Sequence, residues 1–127
     1  MIKKLIIFFF LAIAITSCFK FKEDNENRKY INSLLRSTNS CDIIKANFLI
    51  GRLRDSSYLD TLFKDIYNIE SCSGNIHFKG MSIYQSKIGA LRKIIGIDSI
   101  LNVNYEPDSN IVKHMRKKYL SLGLIHN

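Results

Sequence analysis

Residues 42–55, DIIKANFLIGRLRD, decide how the rest of the chain is read. Ile43, Ile44, Phe48, Leu49, Ile50 and Leu53 recur at helical spacing, and they spread over so many faces that this helix is expected to be an inner one, buried on most sides. Asp42 stands where an N-cap would. Arg54-Asp55-Ser56-Ser57 then makes a tight turn with capping residues. In the following helix Tyr58, Leu59, Leu62, Phe63, Ile66 and Ile69 line one side, and Asp60, Lys64, Asp65 and Asn68 the other. So short a link predicts two antiparallel neighbours.

Towards the C-terminus, Ser71-Cys72-Ser73-Gly74-Asn75 is a breaker cluster, and Ile76 to Gly80 reads as an irregular or briefly extended connection. A helix resumes near Ser82. It carries Ile83, Tyr84, Ile88, Leu91, Ile94 and Ile95, has Gly89 and Ala90 as small residues for a close helix contact, and closes at Gly96. Ile97 to Glu106 is apolar enough to be expected over the core. Pro107-Asp108 opens the last helix, with Ile111, Val112, Met115, Tyr119 and Leu122 facing in and Lys113, Arg116 and Lys117 facing out. Towards the N-terminus, Tyr30, Ile31, Leu34 and Leu35 form a short first helix that Ser37-Thr38-Asn39-Ser40 stops. No period-2 alternation competes with these patterns. With 127 residues, 46% of them hydrophobic, the chain has room for one core. The expected fold is all-α, four main helices plus the short first one.

Laid over each other, Leu49-Ile50-Gly51-Arg52-Leu53 meets Ala90-Leu91-Arg92-Lys93-Ile94 at an offset of 41 residues. Residues 43–55, with a small residue, an aliphatic pair, Gly51, Leu53 and the turn Asp55, resemble the inner segment of a HEAT repeat, followed by an outer helix with Leu62. Residues 90–96 look like the start of a second unit. Lys87 occupies the place of the small Ala46, residues 73–81 are inserted, and the second partner helix is delayed to Pro107. The resemblance therefore implies a short HEAT-like αα-hairpin array of the right-handed αα-superhelix type, about one and a half repeats, in residues 30–127. That family consists mostly of binding and scaffolding proteins.

Lys3 and Lys4 precede an almost unbroken apolar run from Leu5 to Ile15, which ends Ile15-Thr16-Ser17-Cys18. The run has the length of a signal-peptide apolar region and is short for a membrane span. These features resemble a bacterial lipoprotein signal, whose lipobox places an aliphatic residue and two small residues before Cys. The resemblance implies a signal peptide at 1–17, acylation of Cys18 as the new N-terminus, and a charged tether at 18–29 ahead of the helical domain. Phe19 is not the Asp that marks inner-membrane retention, so the expected place is the cell envelope, with the outer membrane facing the periplasm favoured over the inner membrane. Without residues 1–17, which hold Lys3 and Lys4, the net charge of +8 falls to +6. That charge suits anionic head groups or an acidic protein, and export argues against nucleic acid as a partner.

In an oxidising compartment Cys41 and Cys72 are the two thiols left once Cys18 is acylated. They bracket the predicted hairpin, so they are either a disulfide or two partly buried free thiols. His77, His114 and His126 share no ligand spacing, and no metal or cofactor is expected. No serine motif, phosphate loop or carboxylate pair stands in a recognisable frame, so no enzyme is expected. Lys113, Arg116, Lys117 and Lys118 are candidates for contact with an anionic membrane surface, or else a solvated helix face whose cations suit its C-terminal dipole. Tyr58, Tyr67 and Tyr84 mark either a partner surface or helix boundaries with the rings packed inward. The function expected is a lipid-anchored, non-enzymatic protein-binding or scaffold module. The alternative is a periplasmic immunity or inhibitor lipoprotein against a toxin or hydrolase, and a small lyase or hydrolase stands behind both.

Overall fold

A computed structural model of the chain describes residues 2–97 and 103–127. Among them are five α-helices: α1 (Ile2–Leu35), α2 (Ser40–Leu53), α3 (Leu59–Phe63), α4 (Ile83–Ile94) and α5 (Ser109–Ser121). One turn of 3₁₀ helix, Ser56–Tyr58, precedes α3. The fold is all-α, and the one β-type pairing among the described residues is an isolated antiparallel bridge between Ser71 and Ser82. The chain divides into two compact units, 1–33 and 34–127.

In the first unit α1 is unbroken where the sequence predicted a signal, a tether and a separate short helix. No Gly or Pro interrupts residues 2–35, and the tether itself, Lys20 to Lys29, is rich in Lys and Glu, which favour helix. The apolar side chains from Leu5 to Ile15 are exposed. Ile31 is the buried residue of this helix.

In the second unit α2 begins one turn earlier than Asp42 implied. Asn39 is the N-cap, its side chain accepting from the Cys41 N–H at 2.9 Å, while Asp42 accepts from the Ser37 hydroxyl at 2.6 Å. Arg54 closes the helix in the left-handed region, φ 51°, and returns its N–H to the Gly51 and Ile50 carbonyls. Of the helix expected to be buried on most sides, Ile44, Ala46, Asn47, Ile50 and Gly51 are buried, while Phe48 and Leu53 are exposed.

The predicted helix over 58–69 is much shorter. α3 ends at Phe63, Lys64 turns extended, and Asp65 adopts a positive φ of 46°. The Lys64 carbonyl accepts a hydrogen bond from the Lys87 ammonium instead of continuing the helix. Residues 68–70 then run beside the start of α4, where the Asn68 and Glu70 carbonyls accept from the Tyr84 and Ile83 N–H groups at 2.8 Å each. As a result α2 packs chiefly on α4, not on the helix that follows it.

α4 starts with a full capping box between Ser82 and Gln85 and is followed by Gly96 at φ 77°. Ile44 and Ile83 share one core cluster, Asn47 bonds Ser86, and Gly51 lies against Ala90. Each pair is separated by the same 39 residues, so α2 and α4 lie side by side and parallel. A Cβ on Gly51 would stand 2.9 Å from the Ala90 Cα, which is why this position is glycine. The predicted small pair is thus half right: Ala90 makes the close contact, whereas Gly89 has nothing within 4 Å of its Cβ position. Ile50 and Leu91 are both fully buried.

α5 is capped by Asp108, which accepts from the Asn110 N–H at 2.8 Å, and it buries Val112, Met115 and Tyr119. Leu122, expected to face in, lies just past the helix and is exposed. Tyr119 meets Phe63 edge to face at 5.7 Å and donates its hydroxyl to the Leu91 carbonyl. Of the connection expected over the core, residues 98–102 lie outside the described residues. On either side of the α4 start the rest of it is tied down: the Val103 carbonyl accepts from Gln85 Nε2 at 2.8 Å, and the Tyr105 hydroxyl donates to the Ile69 carbonyl at 3.0 Å.

Candidate functional site

The parallel α2–α4 pair leaves an open apolar groove of about 200 Å³ along one side. Asn47, Gly51, Ser86 and Ala90 belong to the buried pair contact, and Phe48, Met81, Gln85, Gly89 and Lys93 carry the accessible lining. Phe48 is 43% exposed, with its ring 5.8 Å from that of Phe78 and 5.0 Å beneath the Lys93 ammonium. Lys93 is the single charged side chain in the lining.

Two local features make the groove. On α4, Gly89 stands mid-helix with an ordinary backbone and open space where a side chain would be. Glycine there forgoes roughly 1 kcal/mol of helix stability relative to alanine, and no close approach demands it. On the loop side, Cys72 and Met81 are tied by the Cys72 N–H to the Met81 carbonyl at 3.0 Å, and the Gly80 N–H returns to the Cys72 carbonyl at 2.9 Å. The Cys41–Cys72 disulfide, Cα–Cα 4.7 Å, fastens this loop base to the first turn of α2. Of the two alternatives the sequence left open, the disulfide is the one formed, though not across the ends of a helical hairpin: Cys41 lies within α2 and Cys72 follows the extended stretch after α3.

At the floor, Asn47 Nδ2 donates to the Ser86 hydroxyl at 2.9 Å, and that hydroxyl donates on to the Ile83 carbonyl at 2.7 Å. This chain of donors fixes the amide orientation and leaves Asn47 Oδ1 buried with no donor. An unmet buried acceptor costs about 1–3 kcal/mol.

A second hollow of about 250 Å³ is bordered by Thr61, Lys64, Asp65, Asn68 and Lys87. Lys87 is only 7% exposed. Burial pushes its ammonium below the usual lysine range, the carboxylate of Asp65 opposes that shift, and Lys64 adds to it. Its proton is committed to the Lys64 carbonyl, so its role is to cap α3 and hold the sharp exit at Asp65. Burial also raises the Tyr119 hydroxyl above its ordinary range.

The other residues singled out from sequence are dispersed. Cys18 is an exposed free thiol in the middle of α1. Lys113, Lys117 and Lys118 are exposed on α5, and the Arg116 guanidinium lies 4.6 Å over the Phe63 ring. Of the three tyrosines offered as a partner surface, Tyr58 and Tyr84 are buried, with the Tyr84 hydroxyl accepting from the Asp108 N–H at 3.0 Å. Tyr67 alone of the three is exposed. His77, His114 and His126 are exposed on separate segments, and no three His, Cys, Asp or Glu side chains among the described residues gather as a metal site. The sequence reading missed the groove itself. Its signal was Gly89, an interior helix glycine that no packing constraint explains.

Compared with protein-family models, with curated proteins and with solved structures, the chain gives no match, and the groove stands as the candidate on its own geometry.

Proposed function

We propose that this chain is a lipoprotein of the bacterial cell envelope whose helical body binds a protein partner without catalysis. Residues 1–17 are the export signal, Cys18 is acylated, and residues 18–29 lead to the body in 30–127. The observation that carries the reading is the exposure of the whole run from Leu5 to Ile15 on a helix long and apolar enough to cross a membrane. So much exposed hydrocarbon demands lipid, by insertion or by passage through a translocation route. The small residues Thr16 and Ser17 before Cys18 favour cleavage and acylation there over a permanent span. Phe19 after the cysteine favours the outer membrane.

For the body, the constant 39-residue offset between α2 and α4 supports a HEAT-like arrangement, in which inner helices of successive units run parallel. An open groove lined by Phe48, Met81 and a single cation suits contact better than chemistry. Anionic head groups near Lys113, Lys117 and Lys118 would orient the body at the membrane surface.

Expression of the full chain in a bacterium fed an alkyne-tagged palmitate tests the anchor. The expected result is a labelled mature form in the membrane fraction, and for Cys18→Ser an unlabelled precursor longer by residues 1–17. Equal labelling of the variant would remove the proposal.

A further inference from the structure

Resting on the protein-binding reading above, we infer that the α2–α4 groove seats an apolar side chain of a partner protein at a point where that partner carries an adjacent Asp or Glu. The groove wall is mostly hydrocarbon and ring, from Phe48, Met81 and the flank of α4 opened by Gly89, with Gln85 as a neutral polar neighbour. No acidic residue lines it, and its rim cation is Lys93. Because α2 and α4 are parallel, their last turns come to the same end of the pair, with Arg52 on one and Lys93 on the other. An occupant with a carboxylate beside its apolar group is therefore attracted, and one with a cation there is repelled.

Gly89 marks the groove as a seat instead of a packing defect. Glycine at Gly51 is required by the 2.9 Å approach to Ala90, but at Gly89 a Cβ would meet only open space, and what glycine does there is keep the wall open. The facing wall is held in place before binding, with Met81 and Phe78 on a loop fastened by the Cys41–Cys72 bridge. A preformed wall spares the ordering cost of association.

The test uses the full chain in phosphatidylcholine nanodiscs and fluorescein-labelled decapeptides with a central Leu or Phe flanked by Glu, by Gln or by Lys. Glu-flanked peptides should bind about two- to fivefold more tightly than Gln-flanked ones, the size of an exposed ion pair. Lys-flanked peptides should bind more weakly still. Gly89→Leu fills the groove without a backbone clash, and it should weaken Glu-flanked binding at least tenfold while the melting temperature holds or rises. Lys93→Gln should erase the Glu preference, so that Glu- and Gln-flanked peptides bind the variant alike. Binding by a folded Gly89→Leu protein equal to that of the parent, equal binding of Glu- and Gln-flanked peptides, or no binding of any peptide would each overturn the inference. Photocrosslinking in cells separates this failure from failure of the reading beneath it, with p-benzoylphenylalanine placed at position 48 or at position 113. A position-48 crosslink mapped to an apolar residue beside an Asp or Glu, and lost with Gly89→Leu, supports the groove. A crosslink at 113 alone removes the groove and keeps protein binding. None at either position removes both.

Discussion

Residues 5–15 of α1 and the α2–α4 pair are the two stretches densest in aliphatic and aromatic side chains, and they meet opposite fates. From Leu5 to Ile15 every side chain is exposed, whereas Ile44, Ile50, Ile83, Ile88 and Leu91 are fully buried. The difference lies in what interrupts the hydrocarbon. Residues 5–15 are apolar all round, so the helix has no face that prefers water and none that prefers a particular neighbour. α2 and α4 are interrupted at chosen places by Gly51, Ala46, Asn47 and Ser86, and these set the register of one helix on the other. A protein core is specified by its interruptions as much as by its hydrocarbon.

The sharpest way to break this contrast is truncation on each side of it. Ile50→Ala or Leu91→Ala should destabilise the fold by about 2–5 kcal/mol in denaturant melts, since each leaves a cavity in a fully packed place. Phe9→Ala, at an exposed position in α1, should stay within about 0.5 kcal/mol. A large effect of Phe9→Ala, or a small one of Leu91→Ala, would dissolve the distinction.

The disulfide ranks next. Replacing both Cys41 and Cys72 by Ala opens a loop of 31 residues and should remove roughly 3–4 kcal/mol in the chain-entropy picture. The same loss should follow from reduction of the parent protein, and reduction should leave the double variant unchanged.

The finest test lies within the pair itself. Gly51→Ala drives a Cβ into the Ala90 backbone and should destabilise by about 1–3 kcal/mol. Gly89→Ala, whose Cβ would meet nothing within 4 Å, should stabilise by about 0.5–1 kcal/mol through helix propensity alone. Thermal melts that moved in the same direction for both glycines would mean that the groove is not open at Gly89.

Much of this fold was legible. The periodicity of 43–53, 83–95 and 111–119 locates three helices, Gly96 and Pro107-Asp108 bound two of them, and Cys41 and Cys72 are legible as a candidate pair. The helix predicted over 58–69 misleads because its apolar spacing continues past Phe63 while a distant lysine, Lys87, takes the Lys64 carbonyl. A tertiary hydrogen bond of that kind has no local signature. The parallel neighbour of α2 was hidden for the same reason, since short links advertise sequential partners and say nothing of a partner 39 residues on. Tyr84 could be read as surface or core, and burial with an Asp108 bond decides for the core. The groove was the least legible, because it is defined by a side chain that is absent.

The parallel pairing has a consequence for how the chain assembles. Ile44 must find Ile83 across 39 residues of chain, so α2, made long before α4, has no partner to bury against while α4 is missing. Closing the Cys41–Cys72 bridge shortens that search, leaving three residues from Ile44 back to Cys41 and eleven from Cys72 on to Ile83. With loop-closure entropy growing as the logarithm of length, the shorter path makes the encounter about fourfold more frequent. Early oxidation would then speed the meeting of the helix pair, and a chain kept reduced would arrive at its core by the slow road.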